Sequence, residues 1–153
     1  MVDMKNISIL FLKAALVLLI LPTLALGSYG LYYLLNNPAN PDYASSLYPI
    51  IAGMYVSLIP LYHGVYRIWR ILSHVRKETI ESTAAARDIK AVRLSAVLFG
   101  AVFLLISPFV FMVAQLDDAP GLVLFGMIPV FLASIILAIF TLFQEMLKVK
   151  AKS

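Results

Sequence analysis

Residues 94–116 read LSAVLFGAVFLLISPFVFMVAQL, 23 positions without a single charge, and DDAPG follows at once at 117–121. A helix rises about 1.5 Å per residue, so roughly 20 residues traverse a hydrocarbon core about 30 Å thick. The stretch is long enough to cross a bilayer. Three further runs between charges are too: residues 14–41 (28 positions), 43–66 (24) and 119–144 (26). In the first of these, Asn36, Asn37, Pro38, Asn40 and Pro41 belong to a turn, and the second span begins near Leu47. The sequence therefore predicts an all-α, polytopic membrane protein, one domain over residues 1–153, with spans near 12–35, 47–70, 93–116 and 121–145.

Composition excludes the alternatives. The chain of 153 residues is 62% hydrophobic and 13% charged, against roughly 45–50% and about 25% in soluble proteins. Too few polar side chains remain to cover a globule in water. Cysteine is absent, which removes disulfides, thiolate nucleophiles and thiolate metal ligands. His63 and His74 are the only histidines and the eight carboxylates are scattered, so no metal, no cofactor and no catalytic residue is expected.

Orientation follows from the cations. Lys5 and Lys13 precede the first span; Arg67, Arg70, Arg76, Lys77, Arg87, Lys90 and Arg93 surround the connection between the second and third; Lys148, Lys150 and Lys152 follow the fourth. The other two connections carry only Asp42, Asp117 and Asp118. Basic residues beside spans are retained on the cytoplasmic side, so both termini and the middle connection are expected in the cytoplasm of a multi-pass protein of the cell membrane. A basic start, an apolar run and Ala25-Leu26-Gly27 also resemble a cleaved signal peptide, but apolar and aromatic sequence continues to Leu35, which suits an uncleaved anchor better.

Each expected span holds one interior proline, Pro22, Pro60, Pro108 and Pro129. Proline cannot donate to the carbonyl four residues earlier, so kinks are expected, and Thr23, Ser57 and Ser107 are candidates to satisfy the freed carbonyls of Leu18, Val56 and Leu104. Tolerance of proline in membrane helices explains these positions; splaying of the outer half around an apolar or peptide ligand is the functional alternative. Tyr48, Tyr55 and Tyr62 repeat every seven residues and share a helical stripe. His63, beside them, is expected to bond a tyrosine or a backbone carbonyl, while an ionisable group at membrane depth is also a functional candidate. Gly53 and Ser57 form a small-xxx-small spacing suited to close helix contact and a homo-oligomer.

Past Trp69 the second helix continues. Arg67, Arg70, His74 and Lys77 lie on one face, residues 78–83 form a turn, and Ser82 or Thr83 caps a helix starting at Ala84. The result is a cytoplasmic helical hairpin whose basic residues, Arg67, Arg70, His74, Arg76, Lys77, Arg87, Lys90 and Arg93, meet lipid headgroups or dock a protein. At the other end, Asp117, Asp118, Pro120 and Gly121 read as a tight turn in which an Asp side chain holds backbone amides and Pro120 opens the fourth span.

Tyr48-Pro49-Ile50, Pro60, the basic exit through Lys77 and above all Asp117-Asp118-Ala119-Pro120-Gly121, in that order, resemble the bacterial membrane family catalogued as domain of unknown function twenty-nine seventy-five, over roughly residues 7–148. The resemblance implies a small four-helix membrane protein of an uncharacterised family, without established catalytic residues, often encoded beside a small helix-turn-helix regulator of the Cro/C1 type.

Two functions from different classes fit. One is a non-enzymatic membrane regulator or sensor, active in signalling, whose hairpin controls a small cytoplasmic helix-turn-helix regulator. The other is a small transporter, permeation unit or antimicrobial-peptide immunity protein, although the spans lack the carboxylates that ion-coupled carriers use. An enzyme is not expected, nor is direct nucleic acid binding: topology accounts for a pI of 9.4.

Overall fold

The structure, a computed structural model, describes residues 3–152. Four helices follow in order: α1 (Met4–Asn36), α2 (Pro41–Arg76), α3 (Thr83–Leu116) and α4 (Gly121–Lys152), with no strand among the described residues. Each is long and apolar enough to cross a membrane.

Helix ends are set by local chemistry. Asp3 caps α1, its side chain accepting the Lys5 amide at 3.1 Å. Asn40 caps α2, accepting the Asp42 amide at 3.2 Å, and Pro41 takes the first position, where a missing N–H costs nothing. The helix thus begins six residues before Leu47, where the span was expected, and holds two interior prolines, Pro49 and Pro60, rather than one. Ser82 caps α3 through the Ala85 amide at 3.2 Å, so that helix starts at Thr83 and not at Ala84.

The two tight connections share one device. Glu78 and Asp118 both adopt positive φ, 59° and 50°. After each, an amide returns to a carbonyl five residues back: Thr79 to His74 at 2.9 Å, Ala119 to Ala114 at 2.8 Å. This left-handed turn satisfies carbonyls that a helix end would otherwise leave bare. Backbone bonds, not an Asp side chain, therefore hold the turn at residues 117–121, contrary to the capping expected from sequence. Pro120 lies just before α4 and its carbonyl accepts the Val123 amide at 3.2 Å.

Packing follows chain order. Backbones approach closely between α1 and α2, α2 and α3, and α3 and α4. Within the spans, where lipid offers apolar side chains as good a home as protein does, close approach at small residues holds the helices. A Cβ on Gly53 would run into Ile106, one on Gly64 would lie 3.2 Å from Ser95 Cβ, and one on Gly126 would lie 3.0 Å from Val110. Gly53 thus serves contact with α3 within the chain. At the basic end a hydrophobic core joins three helices: Ile71, Ile89 and Val92, covered by Ile68, Ile80, Phe140, Phe143 and Leu147. Helix α1 contributes nothing to that cluster, and Ile9 is its one buried residue.

Candidate functional site

Arg67, Arg70 and His74 recur at three- and four-residue spacing along α2, so they project from one face. Opposite stands Asp88 of α3, completely buried. Arg67 Nη1 donates to Asp88 Oδ1 at 2.7 Å, while Arg70 Nε and His74 Nε2 each lie 3.4 Å from Oδ2. Among the described residues Oδ2 has no close hydrogen-bond partner; it faces the Arg70 guanidinium and the His74 imidazole. A carboxylate removed from water survives only when cations surround it. Asp88 is therefore the clamp that fixes the register of the hairpin, next to Ile89 and one turn from Val92 of the core.

Asp88 did not stand out from its type, since Glu78 and Glu81 lie among the same basic residues. One signal was available: it is the sole acidic residue of α3, and folding the chain back near Ile80 sets it, eight residues on, between Arg70 and His74, ten and six residues before. Only the pairing of the two helices turns that count into a contact.

The eight basic residues separate into two sets. Arg67, Arg70 and His74 close on Asp88, and Arg93 Nη1 donates to Gln144 of α4. Arg76, Lys77, Arg87 and Lys90 are exposed around the turn and have no acidic partner among the described residues. The turn's own acids are taken by the outer helices: Lys5 of α1 reaches Glu78 at 3.3 Å and Lys150 of α4 reaches Glu81 at 2.7 Å. The Glu81 carboxylate, as hydrogen-bond partner and as charge, raises the Lys150 ammonium above its ordinary value.

His63 bonds neither a tyrosine nor a carbonyl. Its Nδ1 is 2.9 Å from Ser95 Oγ of α3, and Arg67 Nε donates to its Nε2 at 3.4 Å. A nitrogen that accepts from arginine carries no hydrogen, so Nδ1 donates to the serine. The imidazole links Arg67 of the clamp to the buried Ser95 of α3.

The tyrosine stripe faces α1. Tyr62 Oη is 2.9 Å from Thr23 Oγ1, Tyr55 donates to the Gly27 carbonyl at 2.6 Å, and Tyr48 accepts the Ala39 amide at 3.1 Å. At the basic end Lys13 Nζ donates to Ser73 Oγ at 2.9 Å and stands 4.8 Å from the centre of the Trp69 ring. Between these ties α1 and α2 part around a groove of about 630 Å³, lined by Leu26, Gly30, Leu47, Met54 and Leu58 among others. At the acidic end Tyr43 donates to Asp117 Oδ1 at 2.6 Å, joining the start of α2 to the α3–α4 turn. Asp118 makes no side-chain bond there, and Gly121 faces open space.

Of the interior prolines Pro60 is buried and Pro22 and Pro108 are exposed, with Pro129 between. Ser107 Oγ donates to the Leu104 carbonyl at 2.7 Å, the group freed by Pro108. Thr23 serves Leu19 and Ile20 instead of Leu18, and Ser57 serves Met54 instead of Val56. A hydroxyl on a helix reaches back three or four residues, which puts the expected carbonyls out of reach for Thr23 and Ser57.

The family described as "Protein of unknown function (DUF2975)" matches residues 33–152, which leaves most of α1 outside the matched region and so begins later than the extent read from sequence. The chain is also similar to "Uncharacterized membrane protein YoaS" of Bacillus subtilis (strain 168), 32% identical over 148 residues that cover 95% of this chain and 92% of that protein. No solved structure matches it. With four helices long and apolar enough to cross a membrane and a family match over residues 33–152, the chain is a membrane protein that belongs to the DUF2975 family.

Proposed function

We propose that this protein is a non-enzymatic membrane regulator whose basic hairpin holds a small cytoplasmic helix-turn-helix regulator through an acidic surface of that partner. The observation that supports the reading is the division of the basic residues. Internal ion pairing consumes Arg67 and Arg70, whereas Arg76, Lys77, Arg87 and Lys90 remain exposed and uncompensated around one turn. Exposed charge of one sign speeds and orients association with a partner of the opposite sign. The bias of Lys and Arg toward this end supports a cytoplasmic position for it.

A regulator must also respond, which requires a stimulus that binds two arrangements unequally. Helix α1 is suited to that role. It is tied to α2 by a handful of polar bonds across an apolar groove, and both Lys5 and Lys13 connect it to the hairpin.

The test is capture. Membranes carrying the protein are incubated with the small helix-turn-helix protein encoded nearest to it, for the wild type and for a variant with Arg76, Lys77, Arg87 and Lys90 all changed to Glu. Retention by the wild type and loss in the variant are expected. Equal retention by both, or none by the wild type, removes the docking reading. Arg70 is left unchanged because its replacement would also disturb Asp88.

A further inference from the structure

Beside the Asp88 clamp lies a cleft of about 480 Å³ lined by Arg70, Ser73, His74, Lys77, Thr79 and Ser82. Every lining residue carries a hydrogen-bond donor or a positive charge, and none is acidic. Asp88 sits behind the cleft and engages Arg70 through Nε; both terminal nitrogens of that guanidinium stay available. Lys77 has no partner among the described residues. Ser82 caps α3, so the positive end of a 34-residue helix adjoins the cleft as well. We propose that this cleft binds a phosphate-bearing anion, and that the anion is the headgroup of an anionic phospholipid.

Depth selects the lipid over a soluble phosphate. Trp69, partly exposed and faced by Lys13, marks the headgroup level as tryptophans at membrane boundaries do. Ser73 stands one helical turn beyond it and donates back to the Trp69 carbonyl at 3.2 Å. The cleft opens just beyond that level, within reach of the phosphates of the adjoining leaflet. Lys13 bonds Ser73 at the rim, so a bound headgroup would touch residues of α2 and of the turn while lying beside the tie that holds α1. This site stands independently of the docking reading, because it needs no protein partner.

Native mass spectrometry of the detergent-purified full chain tests it. Protein taken from mixed bilayers of phosphatidylcholine and phosphatidylglycerol should retain one phosphatidylglycerol. Lys77→Gln should lower that retention about tenfold, the effect of losing one hydrogen bond between charged groups. Lys90→Gln, which removes an equally exposed cation outside the cleft, should leave it within about twofold. Arg70→Lys keeps a charge toward Asp88 but loses the guanidinium fork, and retention should fall there too. Circular dichroism of each variant verifies that it is folded. Equal losses in Lys77→Gln and Lys90→Gln, or no retained phosphatidylglycerol, would overturn the site. Inorganic phosphate at millimolar concentration forms the second arm: phosphate adducts sensitive to Lys77→Gln without lipid retention would overturn the lipid assignment.

Discussion

Asp88 is the residue on which the basic end depends. It is wholly buried while Arg67 and Arg70 keep partial contact with solvent, so the carboxylate loses more than the cations do when the set is broken. Asp88→Asn keeps the shape, removes the charge, and leaves two arginines facing a neutral amide. A loss of about 1.5 kcal/mol is expected, that of a hydrogen bond to a charged group whose remaining partners keep contact with water, read as a lowered unfolding midpoint in detergent; an unchanged midpoint would contradict the clamp. The acidic end offers a contrasting single-residue test. The Tyr43 phenol is raised above its ordinary value of 10.0 by its hydrogen bond to Asp117, then by that carboxylate's charge, with burial and Asp42 adding to it. A raised value means the bond's contribution is complete below pH 10.0 and disappears as pH climbs through the folded value. In ultraviolet titration, the phenolate signal lost in Tyr43→Phe should have a midpoint above that of an ordinary tyrosine, and Asp117→Asn should bring it down.

At the scale of elements, the helices differ in how they are held. Helices α2, α3 and α4 meet through small residues in the spans and a hydrophobic core beyond them, while α1 rests on hydroxyl bonds from Thr23 and Tyr55 and on two lysines. Interhelical polar bonds in a membrane contribute about 0.6 kcal/mol each on average, so α1 is the helix most easily displaced. Tyr55→Phe combined with Tyr62→Phe deletes both hydroxyl ties with little change in apolar surface. Since the chain has no cysteine, one can be introduced at Gly30 and its reaction with a membrane-permeant maleimide followed. The rate should rise several-fold in the double variant, and an equal rate would show that packing alone keeps α1 in place. The tyrosine stripe was visible as a seven-residue repeat. What it faces was not, because a repeat fixes a side of the helix without naming the neighbour.

For the whole molecule, the expected topology yields a plain test. Single cysteines at Ser82 and at Ala119 belong to turns at opposite ends of the helices, so an impermeant label added outside intact cells should modify the second and spare the first. Labelling of both, or of Ser82 alone, would reverse or dismantle the proposed orientation. The crossings were legible because a bilayer imposes one coarse requirement, some 20 uncharged residues in a row, and four runs satisfy it without reference to any neighbour. The cap residue Ser82 was readable on the same local grounds, whereas Asn40 was read as part of a turn and the start of α2 was placed six residues too late. The Asp88 clamp, the use of Gly53 by α3, the partner of His63 and the divided fate of the basic residues were decided by tertiary structure. Each depends on which face of one helix meets which face of another, and charge or hydropathy along a single strand of sequence carries no record of that pairing.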